Sequence, residues 1–350
     1  MNDSSNNINI EETKNNIKEN KKGKFSFVKL LIILVILIAV ILFGARLYFR
    51  IPVHDYYKNS EKAFKIPGLS LGLVPQGLCY SEENDLFLVT GYMKDGSAGA
   101  IYEISSSGEY LKGVRLKDKD GNDDNCHAGG IEIYKDYVYI ANNNCLNVYS
   151  YSDIKNANEN DYIQSIGSFN TSSENDKINI ACMTINDEKI ILAEFFREEN
   201  YPTNETHRFT TTGGDYNTAM AAVFDLSEDE EFGIVSEPVA AISLPGLVQG
   251  ITYHNDKIYI STSYATAFSH IYAYDEAKSN HNKTVTLLDK EVPLIELDSS
   301  SLVSDMKIAP MSEEIVFYND MFYTMCESAS LKYFFGNLTG AGYCYRTHIY

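Results

Sequence analysis

Gln76–Tyr92, QGLCYSEENDLFLVTGY, and Gln249–Tyr264, QGITYHNDKIYISTSY, decide the fold. Each opens on Gln-Gly, runs through a short apolar strand, a polar turn and a second apolar strand, and so reads as a β-hairpin. The likeness continues past the hairpins, to Ser97 and Ile101-Tyr102 after the first and to Ser269 and Ile271-Tyr272 after the second. Three further segments keep the pattern: Gly129–Asn143 (GGIEIYKDYVYIANN), Ala181–Phe195 (ACMTINDEKIILAEF) and Glu313–Glu327 (EEIVFYNDMFYTMCE). Their turns fall near residues 83, 135, 187, 255 and 319, a spacing of one four-stranded propeller blade per repeat.

Further strands stand where a blade needs them, as GAIYEIS from Gly99, LNVYSYS from Leu146, AAVFDLS from Ala221 and HIYAYD from His270. After Cys326 only AGYCYRTHIY, from Ala341, has strand character, which leaves the last blade one strand short. KAFKIPGL, from Lys62, precedes the first repeat and supplies that strand, closing the ring and removing its exposed edges. The expected fold is all-β, a five-bladed β-propeller over residues 60–350. A six-bladed ring with one degenerate blade, or an irregular sandwich, is the alternative.

Composition agrees. A chain of 350 residues with 44% hydrophobic content buries a large core, and 26 Tyr and 17 Phe suit half-buried pleated surfaces. The net charge of −19 excludes a nucleic-acid partner, because phosphate binding needs a basic face. Leu30–Gly44 carries no charge, and with Lys29 and Arg46 snorkelling it spans a hydrocarbon core of about 30 Å. A cleaved signal peptide is the rival, but Phe43 stands where a small residue is wanted before cleavage. Lys14, Lys18, Lys21, Lys22 and Lys24 precede the span, against Arg46, Arg50 and Lys58 after it. That bias puts the N-terminus in the cytoplasm and the propeller outside a cell membrane crossed once. The expected domains are a disordered tail (1–25), a transmembrane helix (26–49), a linker (50–59) and the propeller (60–350).

All six cysteines lie beyond the anchor, where disulfides persist. In the second repeat the turn lies between Lys135 and Asp136, so Cys126 and Cys145 are equidistant from it and a bridge between them is expected. The same symmetry pairs Cys326 with Cys344 about Phe335, and leaves Cys79 and Cys182 as buried thiols. The sequons at Asn170, Asn204, Asn282 and Asn337 matter only in a host that glycosylates.

In a propeller the innermost strand of each blade starts at one mouth of the channel and the second strand returns there. The residues expected at that mouth are therefore Gln76 and Tyr92, His127 and Asn142, Ala181 and Glu194, Gln249 and Tyr264, and Glu313, Glu314 and Glu327. Leu116–Gly130, LKDKDGNDDNCHAGG, connects the first blade to the second and sets His127 on the rim; Gly129 and Gly130 let the backbone pass close to the channel. Asp118, Asp120, Asn122 and Asp124 alternate as calcium ligands do, although Asp123 and Gly129 stand where an EF-hand has its glycine and its bidentate glutamate. Calcium is the one cofactor this loop suggests. An insertion in the third repeat, from Phe196 to Met220, carries Arg197, Tyr201, His207, Arg208 and Gly213-Gly214. It reads either as a lid that brings positive charge to an anionic group or as a decorated surface loop.

Val74–Ser97, VPQGLCYSEENDLFLVTGYMKDGS, resembles the first-blade signature of plant-type glutamine cyclotransferases through Gln76-Gly77-Leu78, Thr90-Gly91-Tyr92 and Ser97. That resemblance implies a five-bladed propeller of the quinoprotein-like and NHL-like kind, in a family that converts N-terminal glutamine to pyroglutamate. The later blades lack that family's aromatic and acidic signatures, and the chain has no tryptophan. The expected function is binding of a small molecule, peptide or glycan at the mouth by Gln76, Tyr92, Asn142, Arg197, Gln249, Tyr264, Glu313 and Glu327. The alternatives are an enzyme, a lyase, hydrolase or acyl-transfer cyclase with His127 as base beside Glu194, and a protein-interaction platform.

Overall fold

The structure, a computed structural model, describes residues 5–333 and 336–348; Phe335 and the Asn337 side chain lie outside the described residues. The chain forms two units, Met1–Ile51 and Pro52–Tyr350. The first is a 46-residue helix, α1 (Ser5–Arg50). α1 begins at Ser5, within the stretch expected as a tail. Among the described residues this is the one helix long and apolar enough to cross a membrane, with a mean hydropathy of 3.2 in its most apolar window. Its apolar side chains, from Phe27 to Phe43, are exposed on every face.

Of residues 50–59, expected as a linker, Arg50 ends α1 and those from Pro52 on fall in the second unit. A single 3-10 turn leads into α2 (His54–Lys58), which buries Val53 and Tyr56 among Tyr259, Ile271, Ile308 and Phe322. The Tyr56 hydroxyl lies 2.5 Å from Thr324 Oγ1. An apolar pair spaced i, i+3 beside a core is buried rather than left in solvent.

The chain then builds five blades. β1 (Ser60–Lys65) pairs antiparallel with residues 343–347 at the other end of the sequence and closes the ring as expected. Blade one is β2 (Leu73–Ser81), β3 (Leu86–Met93), β4 (Ala100–Ser105) and β5 (Tyr110–Lys117). Blade two begins with β6 (Ile131–Tyr134), β7 (Tyr137–Asn142) and β8 (Cys145–Ser150). Through α3 (Tyr151–Asn156) the chain crosses to lay β9 (Tyr162–Gln164) parallel to β5, and only then returns as β10 (Gly167–Asn170) beside β8.

Blade three opens with β11 (Ile180–Asn186) and β12 (Lys189–Glu194), carries a small hairpin of β13 (Phe209–Thr210) and β14 (Tyr216–Asn217), and ends with β15 (Ala219–Asp225) and β16 (Ala240–Leu244). Blade four has β17 (Val248–His254), β18 (Lys257–Thr262) and β19 (Ser269–Asp275). Its chain then crosses back as β20 (Asn280–Leu287) and β21 (Lys290–Glu296), with β21 parallel to β16, before β22 (Leu302–Ile308) completes the blade. Blade five is β23 (Ser312–Tyr318), β24 (Met321–Cys326), β25 (Tyr343–Thr347) and β1, with α4 (Gly336–Thr339) on the way to β25. Blades one and two, and blades three and four, are thereby stapled in pairs.

The hairpin turns follow their residues. Asp187-Glu188, Asn255-Asp256 and Asn319-Asp320 all have positive φ at both positions, the type I′ geometry that matches the twist of the flanking strands. Between neighbouring blades the apolar faces meet in five separate cores.

All six cysteines are free thiols, which corrects both expected bridges. The register about residues 135 and 136 is as expected, with Tyr134 opposite Tyr137 and Ile131 opposite Ile140. However, β7 ends at Asn142, and a turn through Asn143 (φ 54°) and Asn144 carries Cys145 onto β8. In blade five, Thr324 faces Tyr345, one residue away from the register that would set Cys326 opposite Cys344.

Candidate functional site

The inner strands β2, β6, β11, β17 and β23 stand around the channel, and glycines let them crowd at its mouth. A Cβ on Gly129 would lie 2.5 Å from Ala181 O, and one on Gly250 2.7 Å from Glu313 O, so no larger residue fits at either position. What Gly129 approaches is the backbone of a neighbouring inner strand.

Glu314 reaches in beside Gly130, where a Cβ would stand 3.1 Å from its Oε1. Its Oε2 accepts the N–H groups of Leu78 (3.2 Å) and Ile131 (3.0 Å), and its Oε1 accepts that of Met183 (2.8 Å). One side chain of blade five therefore ties together the inner strands of blades one, two and three. Burial pushes its carboxyl well up, against the pull of those hydrogen bonds. Glu132, on β6, is also buried, and burial raises it to about 8. Its sequence signal is a lone charge in the apolar inner strand IEIY, which the hairpin reading passed over.

At the mouth stand Tyr92, His127, Glu313 and Glu327, joined by Lys332 and Tyr333. The last two come from the segment after β24, where no strand pattern marks them. The hydroxyls of Tyr92 and Tyr333 donate to Glu327 Oε1 at 2.9 and 2.8 Å. The His127 ring lies 4.7 Å from that of Tyr92, with 33° between their planes. His127 keeps an exposed edge, but the packing around its ring desolvates it, and that desolvation, then the charge of Lys332, pulls it below its ordinary value and favours the uncharged ring. Burial raises Glu327, and raises Glu313 together with repulsion from Glu327 and Glu314.

Beside this mouth lies a polar cavity of about 570 Å³, walled by the loop from Asp118 to His127 and by Asn142, Cys145 and Asn147. Asn142 therefore stands near His127 but in the side cavity. The four alternating oxygen ligands do not converge there. Asp118 accepts the N–H groups of Asp120 and Asn122 in its own loop, and Asp120 pairs with Lys119 at 3.0 Å. Asp124 turns inward to Cys126 N–H, Asn147 and the Tyr149 hydroxyl. Among the described residues no three His, Cys, Asp or Glu side chains are grouped as a metal site requires.

Glu194 does not meet His127. It is fully buried, and its Oε2 accepts Met220 N–H (3.2 Å) and pairs with His207 Nδ1 (2.9 Å). His207 Nε2 reaches Asp176 at 3.1 Å. Burial would lower this imidazole, but the hydrogen bonds it donates to Asp176 and Glu194 prevail and lift it to about 9. Asp176, which burial would raise, is held at about 2 chiefly by His207. The insertion is consequently clamped at its root. Its tip is clamped too, since Thr212 binds the buried Glu296 and Gly213 N–H donates to Asp298. Arg197 lies 4.2 Å over the Tyr264 ring and pairs with Glu199 at 2.7 Å, which joins blade three to blade four. Gln76 is buried, with its amide on Pro75 O, and Gln249 is half-buried at the start of β17.

No family model matches the chain, and a sequence comparison with curated proteins finds no match. Among solved structures the propeller is similar to glutaminyl cyclase of Myxococcus xanthus, at 13% identity over 72% of this chain and 85% of that one, with a TM-score of 0.38. It is also similar to the PQQ-bound aldose sugar dehydrogenase of Streptomyces coelicolor, at 9% identity over 82% and 95% of the two chains, TM-score 0.43. BamB of Moraxella catarrhalis aligns at 8% identity over 78% and 85%, TM-score 0.32. At these identities and scores no chemistry passes from them to this chain.

Proposed function

We propose that the chain is a single-pass membrane protein, N-terminus in the cytoplasm, whose extracytoplasmic propeller binds a small polar ligand at the Tyr92–His127–Glu327 mouth. One observation carries the reading: Glu313, 1% exposed and accepting no hydrogen bond among the described residues, lies close to Glu327 and Tyr333, with a half-buried Tyr92 and an exposed His127 at the same mouth. A nearly buried carboxyl that no protein donor reaches is costly unless water or a ligand satisfies it. The lysines before the uncharged span support the orientation.

A compound screen by thermal shift on the full chain in detergent tests this, with Tyr92→Ala as counter-screen. Compounds that raise the wild-type Tm are expected to lose that effect in the variant. If every stabilising compound acts equally on both proteins, the mouth is not the site, and the interaction-platform reading takes its place. The enzymatic reading keeps one observation of its own, an uncharged and exposed His127; His127→Ala lowering kcat at unchanged KM would favour it.

A further inference from the structure

The mouth already holds an ammonium group of the chain itself. Lys332 places Nζ 4.8 Å from the centre of the Tyr92 ring and 5.3 Å from that of Tyr333, against the Tyr92 hydroxyl. Two aromatic rings with a carboxylate, Glu327, bridged between their hydroxyls make up a cage of the kind that takes organic cations. Lys332 is nevertheless exposed, and among the described residues it has no carboxylate within ion-pair distance. Glu313 is buried and unpartnered, close enough for its charge to act on both Glu327 and Tyr333.

Resting on the proposal that the mouth is a ligand site, we infer that its ligand is a primary alkylammonium group, which displaces Lys332 from the Tyr92–Tyr333 cage and pairs with Glu313 and Glu327. The acceptors present decide for a primary ammonium. Two carboxyl groups and two phenolic oxygens match its three N–H donors, whereas a quaternary ammonium offers none. Lys332 is then a tethered competitor, and removing it strengthens binding.

The probe is n-butylammonium chloride, titrated into the full chain in detergent at constant ionic strength and read by calorimetry and by the His127 imidazole NMR signals. Saturable binding is expected for n-butylammonium and not for n-butanol. Lys332→Ala should tighten it roughly tenfold, and Glu313→Gln should weaken it by a similar factor. If Glu313→Gln does not fold, Glu327→Gln carries the same expectation. Equal binding of tetramethylammonium, or a Lys332→Ala protein that binds no tighter than wild type, overturns the inference. A neutral or anionic compound that shifts His127 where n-butylammonium does not would sink the ammonium assignment and leave the mouth standing as a site. If nothing in such a panel shifts His127, both readings fall together.

Discussion

His207 shows how far one side chain can depart from what its neighbours in sequence suggest. In the sequence it reads as positive charge offered to a ligand; in the fold it is fully buried between Asp176 and Glu194, holding the insertion down. Its contribution to stability has a defined pH window. The folded value of about 9 lies above the unfolded value, so the stabilisation is complete below about pH 6.5 and is lost as pH rises through 9. Asp176 sets the lower edge, since a carboxyl held at about 2 stabilises above about pH 4 and loses that effect as pH falls through 2. Glu132 acts in the same direction as His207, because a carboxyl raised to about 8 costs stability progressively between about pH 4.5 and 8. The Tm is therefore expected to fall steadily from pH 6 to pH 9. His207→Gln should cost on the order of 3 kcal/mol at pH 6, with the gap to wild type closing toward pH 9. Denaturant unfolding at the two pH values measures it; a gap independent of pH would show that the clamp is not ionic.

Among the elements, α2 is the segment whose role was hidden. His54–Lys58 has neither the length nor the alternation that marks a structural element, and Val53 and Tyr56 gain meaning only once blades four and five are placed around them. Tyr56→Ala is expected to cost about 3 kcal/mol through the cavity it leaves, and Tyr56→Phe about 1 kcal/mol through loss of the Thr324 hydrogen bond. Urea unfolding of the two variants separates these contributions. The hairpins, by contrast, were legible, because turn pairs such as Asn255-Asp256 and the alternation around them are local facts. Extrapolating a hairpin register beyond its strands was not safe: Cys145 kept its spacing from the turn at Lys135 but lies past a second turn that Asn143 and Asn144 make. The mouth was legible in part. Tyr92, His127, Glu313 and Glu327 follow from blade geometry, while Lys332 and Tyr333 reach it from a segment without periodicity, and Glu194 was diverted by a histidine that local reasoning cannot bring to it.

For the molecule as a whole, the pairing of blades decides how it comes apart. β9 fastens blade two to blade one and β20–β21 fasten blade four to blade three, while blade five depends on β1 for its outer strand. Placing a charge in that seam, as in Phe64→Asp at a position 4% exposed, should therefore loosen blade five before the rest. Hydrogen exchange is expected to accelerate in β24 and β25 with β4 and β15 still protected. A uniform rise across all blades would mean that the ring opens as a single unit.

The seam has a mechanical side. Only nine residues separate the end of α1 at Arg50 from the start of β1 at Ser60, and His54–Lys58 among them form α2. Any pull along the N-terminal helix is thus delivered first to the buried Val53–Tyr56 wedge and next to the end of the ladder where Ser60 faces Thr347. From that end an antiparallel pair opens one rung at a time, so while the wedge holds, such a pull does not reach the stitch that keeps the ring closed.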